Sequence, residues 1–345
     1  MNAAPDARPA ARSPAGFYGW WIVGLASLVG VLTGPGQSIG VSVFRQHLSD
    51  GLHLSDSAIA TAYLVGTLLS STLQPRIGRW VDQVGVRRAS TAFGIAFALA
   101  LAHMSMVRGV VWLAAGFFGI RLLGQGALSL TSTVAVMHWF DRRRGFALGL
   151  KMTLTMGGMS IVPILLAVAI DAWGWRIAWL AASAVIALTA VPVSWFGYVN
   201  RPADMGQLPD GEPPVHVGQL GSAPPSLTRS TALRSTAFWA LAAVTATNSL
   251  LGTGLLFHQT NLLGEIGYSN AQAAAMFLPQ AIGAVMGGLA FGWLADRAAR
   301  PMLPTVVMLL LASTMLLGGT STTFPAVLLY SMVLGMTMGS GAAVQ

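Results

Sequence analysis

The chain contains no cysteine and few charged residues. The absence of cysteine among 345 residues excludes disulfide bonds and thiolate metal ligands. Its six histidines are scattered and lack the spacing of a metal site, and no nucleophile stands at a recognisable spacing from a base. We therefore predict a protein that is not an enzyme and that uses neither a metal nor a cofactor.

Charged residues make up only 9% of the chain, against about 25% in soluble domains. Hydrophobic residues make up 54%, and the mean hydropathy is +0.66. Apolar runs of about 20 residues, long enough to cross a bilayer as helices, recur along the whole chain. They lie near residues 18–44, 56–77, 89–107, 110–138, 145–170, 176–199, 236–262, 271–294, 302–319 and 324–345. The sequence predicts an all-α integral membrane protein, a bundle of ten helices in contact with the lipid bilayer.

The basic residues are unevenly distributed over this predicted topology. Of 19 lysines and arginines, 15 lie in the N-terminal tail, in loops on the same side of the membrane or at the helix ends beside them. Arg45, Arg108 and Arg176 face the other side, and Arg121 lies within the membrane. This asymmetry follows the positive-inside rule and places the N-terminus in the cytoplasm. The net charge of +8 thus reflects topology, and we predict no nucleic-acid partner.

A proline-rich polar stretch divides the chain once. Residues 200–234 contain six prolines and are predicted to form a cytoplasmic linker. Residues 1–16 form a polar tail, residues 17–199 a bundle of six helices, and residues 235–345 a partial bundle of four.

One short pattern occurs twice, at corresponding places in the two parts of the chain. The first copy is Gly78-Arg79-Trp80-Val81-Asp82-Gln83, followed by Gly85, Arg87 and Arg88, and the second is Gly292-Trp293-Leu294-Ala295-Asp296-Arg297. The glycine lets two backbones approach, the aspartate can cap a neighbouring helix, and the arginines hold the turn on the cytoplasmic side. A membrane unit duplicated with a matching hinge is typical of a secondary transporter. We predict gating roles for Gly78, Asp82, Arg87, Arg88, Gly292, Asp296 and Arg297.

Four further stretches extend this pattern. They are Arg121-Leu122-Leu123-Gly124-Gln125-Gly126 in the fourth predicted helix, Tyr18-Gly19-Trp20-Trp21 at the start of the first, residues 139–150 before and in the fifth, and residues 201–206 at the start of the linker. Together they resemble the major facilitator superfamily, and more narrowly its bacterial monocarboxylate-transporter-like branch. The resemblance implies a bundle of two six-helix halves in a bacterial inner membrane that moves a small solute by alternating access. We expect a monomer.

The resemblance also implies which charges should bind a carboxylate. The animal monocarboxylate carriers use a lysine in the first helix and an aspartate and an arginine in the eighth. Aligned without gaps, this chain has Ile39, Ala284 and Gly288 there. Transport of a lactate- or pyruvate-like substrate is therefore not implied by the family alone.

Arg121 is the leading candidate for a substrate-binding charge. It lies about 11 residues into its helix, roughly 16 Å from the outer end at 1.5 Å per residue. An arginine at the bilayer centre costs at least about 2.5–3.5 kcal/mol, so Arg121 must face an aqueous cavity or a partner. It either binds an anion or couples protons, or it is structural and donates to carbonyl oxygens of adjacent helices. Lys151, in the fifth helix, either binds substrate or extends its amine to the cytoplasm.

Neutral polar residues complete the candidate site. Gln37 and Ser38 follow the helix-breaking Gly34-Pro35-Gly36, and Asn248 and Gln280 lie in the seventh and eighth helices. The break can free backbone groups to line a cavity, or it can simply kink the helix. His258, near the end of the seventh helix, is either a gate or a solvated histidine.

Acidic residues are absent from the middle of every predicted helix, because all eleven lie in the tail, in loops or at helix ends. A proton-driven exporter generally needs a carboxylate inside the membrane. We therefore predict a secondary active transporter of a small organic anion such as a monocarboxylate, coupled to protons carried with the substrate or to a counter-anion. The alternatives are a proton-coupled exporter of drug-like or other small molecules and a non-transporting sensor on the same fold.

The second copy of the repeated pattern allows a geometric prediction. By the pseudo-twofold relation of the halves, Asp296 should lie beside the start of the fifth helix, near residues 145–149. There it would accept hydrogen bonds from unpaired backbone N–H groups. One of Arg142, Arg143 or Arg144 would add a charge-assisted bond and complete a latch that holds the cytoplasmic side closed.

The implied twelve-helix fold predicts that the chain is a fragment. In the family, the first copy of the pattern docks against the eleventh helix, so Asp82 is expected to lack that partner. We expect the reading frame to continue past Gln345 at the genomic locus. A stop codon directly after Gln345, found by sequencing that locus, would contradict this expectation.

Overall fold

The computed structural model describes residues 16–211, 233–297 and 302–344. Within these ranges the chain is helical at all ten predicted positions and contains no strand, so the all-α fold is confirmed. By length and apolarity, five helices can cross a membrane, and a sixth if the pair Arg45–Leu52 and Asp56–Val84, bent by 116°, counts as one span. Three shorter apolar helices accompany them.

The first six helices make up what we term the first half. The first helix is broken into Gly19–Leu32, a 3₁₀ turn at Gly34–Gly36 and Ser38–Ser42, and the short helix Arg45–Leu52 follows it. The second is Asp56–Val84, the third Val86–Ser105 and the fourth Val110–Trp139. The fifth is Arg144–Trp173, bent at Ser160, and the sixth is Trp175–Gly197.

The second half contains the remaining four helices. The seventh is Thr236–Glu265, and the eighth consists of Asn270–Ala275 and Phe277–Arg297. The ninth is Met302–Thr320 and the tenth Phe324–Val344.

The second helix is longer than the sequence predicts. It continues through the repeated pattern to Val84 instead of ending near residue 77. Nothing between these positions breaks a helix, and the chain reverses only at Gly85, whose φ of +84° a residue with a side chain rarely adopts. Gly78 and Asp82 therefore lie on the last turns of a helix and not in a loop.

The two ends of the bundle differ in how the halves meet. We term the end with Gly19 and Gly85 the Gly85 side, and the end with the Arg45–Leu52 helix the Arg45 side. On the Arg45 side, Thr260 donates to the carbonyl oxygen of Ser42 at 2.7 Å, and Asn270 to that of Val43 at 3.4 Å. On the Gly85 side, a methyl group at Gly145 or Gly149 would meet no atom within 4 Å in the described part of the chain. Hydrogen bonds thus join the two halves on the Arg45 side.

Glycines let two helices of the second half pack backbone to backbone. A Cβ at Gly283 or Gly287 of the eighth helix would lie 2.0 or 2.4 Å from the carbonyl oxygens of Met332 and Met336 in the tenth. A Cβ at Gly335 of the tenth helix would lie 1.9 Å from the carbonyl oxygen of Gln280. Only glycine fits such contacts, which hold Gln280 at a fixed place beside the tenth helix.

The first residues of the predicted linker are docked on the first half. Asn200 accepts from the backbone N–H of Arg87 at 3.0 Å, and Gln207 accepts from that of Tyr18 at 3.1 Å. The carboxylate of Asp210 is buried and accepts three backbone N–H groups, from Asp141 at 3.1 Å, Arg142 at 2.7 Å and Arg143 at 3.2 Å. Asp210 therefore caps the turn that leads into the fifth helix. Residues 212–232 of the linker lie outside the described ranges.

This cap perturbs the Asp210 carboxyl group. Burial alone raises its pKa, but the hydrogen bonds from Arg142, Arg143 and Asp141 and the charge of Arg143 outweigh burial. The pKa of Asp210 lies below its ordinary value of 3.8. Because the folded-state pKa is depressed, the stabilisation is present above pH 3.8 and is lost as the pH falls through the lower, folded-state value.

We predict that Asp210→Asn destabilises the protein by about 1–2 kcal/mol at pH 7, since it removes a charged acceptor from three N–H groups at a helix start. Thermal unfolding in detergent, followed by tryptophan fluorescence, should show a Tm lower by about 2–4 °C. The difference from the parent should shrink as the pH falls below 3.8, through the depressed folded-state pKa. Asp204→Asn is the control, because Asp204 is exposed and accepts from Arg201 of its own turn. An equal loss of Tm in both variants would contradict the cap.

Candidate functional site

A cavity of about 230 Å³ lies between the two halves. Its polar lining comes from the first, fourth, fifth, seventh and eighth helices, and Met156, Met159, Phe277 and Met338 supply much of the apolar wall. The polar lining residues are Gln37, Ser38, Gln125, Ser160, Thr253 and Gln280. Helices of both halves thus meet around one partly polar space, the usual location of a transporter site.

The break in the first helix brings this helix against the fourth. At Gly36 a Cβ would lie 2.7 Å from the carbonyl oxygen of Ile120, the residue before Arg121. Only a residue without a side chain allows this approach. The predicted interruption at Gly34–Gly36 is therefore real, and it places Gln37 and Ser38 beside the fourth helix.

The fourth helix is π-helical from Arg121 to Leu128. Positions four apart along a helix lie on one face. Arg121, Gln125 and Ser129 have this spacing, and all three line a second cavity of about 480 Å³ between the second and fourth helices. Gln125 lines both cavities, so the two spaces adjoin.

Arg121 is buried, with 5% of its surface exposed. Its Nη1 donates to Ser38 Oγ at the long distance of 3.4 Å, and its Cζ lies 5.0 Å from the centre of the Tyr63 ring. Ser38 Oγ is also 2.8 Å from the Tyr63 hydroxyl. In the described residues no carboxylate pairs with Arg121. The structural alternative expected bonds from Arg121 to carbonyl oxygens of adjacent helices. Its observed contacts are instead a serine hydroxyl and an aromatic ring.

Lys151 is buried in the first half and does not extend to the surface. Its Nζ donates to Thr133 Oγ1 at 3.3 Å, and Thr133 lines the second cavity. The second cavity therefore has a buried cation, Arg121, in its wall and a second one, Lys151, one hydrogen bond beyond it.

Of the remaining predicted residues, two line the cavity between the halves and two do not. Gln280 lines the cavity and its Oε1 has no partner in the described part of the chain. Gln37 lines the cavity and donates to Thr33 Oγ1 at 3.1 Å. Asn248 is buried but is not among the residues that line either cavity. His258 is half-buried with its ring against Phe257.

Sequence reasoning missed Tyr63 and Phe257 near the site, and Asp210 at the turn before the fifth helix. Tyr63 and Phe257 carry no pattern that separates them from ordinary core aromatics, and their rings stack 4.3 Å apart across the halves. Asp210 was interpreted as part of a linker, although its place after a proline and before a glycine indicates a turn.

The predicted gating residues are only partly described. Asp82 is exposed and makes no hydrogen bond or ion pair within residues 16–211, 233–297 and 302–344. Arg87 Nε donates to the carbonyl oxygen of Trp195 at 2.6 Å, which fixes the end of the sixth helix, and Arg144 pairs with Asp141 at 3.5 Å. The structure describes the backbone of the eighth helix to Arg297, but not the side chains of Asp296 and Arg297 or the surroundings of Gly292. The latch at residues 145–149 therefore stays a prediction.

Residues 23–345 match the sequence model of the Major Facilitator Superfamily. The chain belongs to this superfamily. It is a multi-pass membrane transporter and not an enzyme, with a small-molecule substrate and lipid around it.

Its curated relatives are monocarboxylate transporters. The chain is 27% identical to bovine monocarboxylate transporter 13 over 96% of its own length and 73% of the relative's. It is 26% identical to human monocarboxylate transporter 14, with 56% of this chain and 37% of the relative covered, and 27% identical to mouse monocarboxylate transporter 11, with 85% and 62% covered. The chain thus spans between about a third and three quarters of these relatives.

Solved structures agree on the fold. A bacterial homologue of the human lysosomal transporter Spinster, in an inward-facing and unoccupied conformation, superposes with a TM-score of 0.71 at 14% identity, over 96% of this chain and 74% of that one. The occupied form of the homologue gives 0.69 at 15% identity over the same shares.

Two of the three positions that depart from the animal carriers fall at this site. Ile39 and Ala284, which stand where the sequence alignment expects a lysine and an aspartate, both line the cavity between the halves. Two apolar side chains therefore occupy the wall in which that alignment anticipates opposite charges.

We predict that Gly36→Ala lowers stability by about 1–3 kcal/mol, because the new methyl group must displace the backbone at Ile120 and the ring of Phe97. Thermal unfolding in detergent should show a fall in Tm of several degrees. Gly24→Ala, in the same helix with no atom within 4 Å of its Cβ, is the matched control and should be neutral or slightly stabilising. Equal Tm values for the two variants would contradict the close approach.

Proposed function

We propose that this transporter moves a small organic anion such as a monocarboxylate across the bilayer by alternating access, with Arg121 as the residue that binds the carboxylate. The observation that carries the proposal is the state of Arg121: a buried guanidinium beside two adjoining cavities, with one long hydrogen bond and no carboxylate partner among the described residues. A guanidinium has five N–H donors, and a carboxylate matches them in pairs.

The surroundings of Arg121 suit an anion of modest size. Gln125, between the two cavities, and Ser38 can donate to a carboxylate oxygen. Gln37 and Gln280 offer further amide donors on either side of the cavity between the halves, whose volume fits a small solute. Lys151 adds a second positive charge, one hydrogen bond beyond the wall of the second cavity. Asn248, away from both cavities, is the weakest of the proposed substrate residues.

The charge distribution supports one orientation. The three arginines Arg45, Arg108 and Arg176 lie in or beside the connections of the Arg45 side, whereas most other cations belong to the Gly85 side. By the positive-inside rule, the Gly85 side and the N-terminus face the cytoplasm, in a bacterial inner membrane. The conformation described here is then closed on the side away from the cytoplasm. We propose a monomer as the transporting unit.

Coupling to protons through the protein itself generally needs a carboxylate within the membrane. All acidic residues of the chain lie in the tail, in loops or at helix ends. Coupling by a proton that travels with the substrate, or by exchange for a second anion, needs no such group.

A proton-coupled exporter of drug-like molecules is the second candidate. The apolar wall with Met156, Met159 and Met338 favours it, since methionine adapts to varied ligands. A non-transporting sensor would bind anions without moving them.

We predict that proteoliposomes containing the protein take up radiolabelled acetate, lactate, butyrate or benzoate, and that Arg121→Gln lowers the rate by about 10- to 100-fold. This is the loss expected when a charge-assisted hydrogen bond worth about 1.5–3 kcal/mol is removed. Arg121→Lys should retain part of the rate, because it keeps the charge but not the paired donors. Uptake should rise with an inward proton gradient or with a preloaded counter-anion.

The control is Arg108→Gln, which removes an exposed arginine from the Arg45 side and should leave uptake unchanged. Binding of the four carboxylates without uptake would favour a sensor. Uptake of lipophilic cations, insensitive to Arg121→Gln, would contradict the proposal and favour the exporter.

A further inference from the structure

Four side chains form a continuous series of contacts from the site to the Arg45 side. The Cζ of Arg121 lies 5.0 Å from the Tyr63 ring centre, the Tyr63 ring is stacked on Phe257 at 4.3 Å and 29°, and the Cζ of Arg45 lies 5.7 Å from the Phe257 ring centre. We call Arg121, Tyr63, Phe257 and Arg45 the aromatic column. A guanidinium lies at each end of an aromatic pair. That of Arg45 is already paired with Asp56, whereas that of Arg121 has no carboxylate partner among the described residues and is attracted to the electron-rich face of the Tyr63 ring.

The aromatic column crosses between the halves. Phe257 belongs to the seventh helix, whereas the other three residues belong to the first half, and the Phe257 ring is buried in the core of that half. Thr260, less than one turn further along, makes the hydrogen bond to Ser42 that closes the halves on this side. At its end, Arg45 pairs with Asp56 at 2.7 Å. The Arg45 side can open only if Phe257 leaves Tyr63.

The inner end of the aromatic column is part of the proposed binding site. Ser38, which lines the cavity, is 2.8 Å from the Tyr63 hydroxyl and 3.4 Å from Arg121 Nη1. An anion that pairs with Arg121 neutralises the charge facing the Tyr63 ring and engages the donors of the guanidinium. Both effects weaken the attraction between Arg121 and Tyr63, because a cation–π contact depends on the net charge above the ring.

We infer that the aromatic column is the gate of the Arg45 side, and that it loosens when an anion pairs with Arg121. The inference rests on the proposed function, because the anion is the substrate. It names Tyr63 and Phe257 as positioning residues that link occupancy of the site to the conformational change. An empty transporter then stays closed on this side, so exchange of one anion for another runs faster than net release.

The absence of cysteine permits a direct test. Thr260→Cys gives the chain a single thiol at the closed interface, and an impermeant maleimide added to the Arg45 side of membrane vesicles reports how often that side opens. In this background Phe257→Leu, without ligand, should raise the labelling rate about 3- to 10-fold, the range expected for the loss of stacking and cation–π contacts. Tyr63→Phe should stay near the parent rate, since it keeps the ring. Phe93→Leu, a buried ring beside Trp80 and outside the column, is the control.

The ligand arm uses an equimolar mixture of acetate, lactate, butyrate and benzoate, whose binding is measured separately by calorimetry on the purified protein. The mixture should raise the labelling rate of the Thr260→Cys protein several-fold. With Arg121→Gln added, it should have no effect. With Phe257→Leu added, the labelling rate is already raised, and the mixture should raise it no further. Equal rates for Phe257→Leu and Phe93→Leu overturn the inference. Binding of the mixture without a change in rate also overturns it and leaves the proposed function standing. If no carboxylate binds, the proposed function fails, and the anion-driven gate fails with it.

Discussion

The burial of the Arg121 charge, which no carboxylate of the described residues neutralises, is the constraint on which the rest of the site depends. Arg121 sits at mid-helix, and its Nη1 donates at 3.4 Å to a hydroxyl oxygen while its Cζ faces an aromatic ring. A charge in that position is tolerated only where water, dipoles or an incoming anion can solvate it. The cavities on either side of Gln125, the interrupted first helix and the buried Tyr63 can all be understood as the environment that this charge requires.

Close backbone contact is what makes that environment possible. The first helix reaches Arg121 because Gly36 has no side chain to hold it away from Ile120. Arg121, Gln125 and Ser129, four residues apart along the π-helical stretch, then face the same cavity. The 3₁₀ turn of the first helix, seated against the fourth helix, adds Gln37 and Ser38 to the adjoining cavity.

The sequence was sufficient to predict the class of fold and the main candidate site residues, because each produces a pattern within one stretch of sequence. These patterns are the long apolar runs, the glycine–proline interruption and the lone arginine in an apolar helix. It was insufficient wherever the decisive contact joins distant parts of the chain. Phe257 and Tyr63 are 194 positions apart and each resembles any core aromatic. Asp210 illustrates the same limit: a carboxylate near the fifth helix was expected from the eighth helix, whereas the described one comes from the connection between the halves. The helix end at Val84 was missed since polar residues were interpreted as a loop.

The glycine contacts between the eighth and tenth helices have a mechanical consequence. With the carbonyl oxygens of Met332 and Met336 seated against Gly283 and Gly287, no side chain lies between the two backbones that a rotamer change could rearrange. The two helices are therefore expected to move as one rigid unit, and Gln280, which lines the cavity, moves with it. When this unit tilts about one end, its far end is displaced further, so a small rotation changes the width of the cavity between the halves.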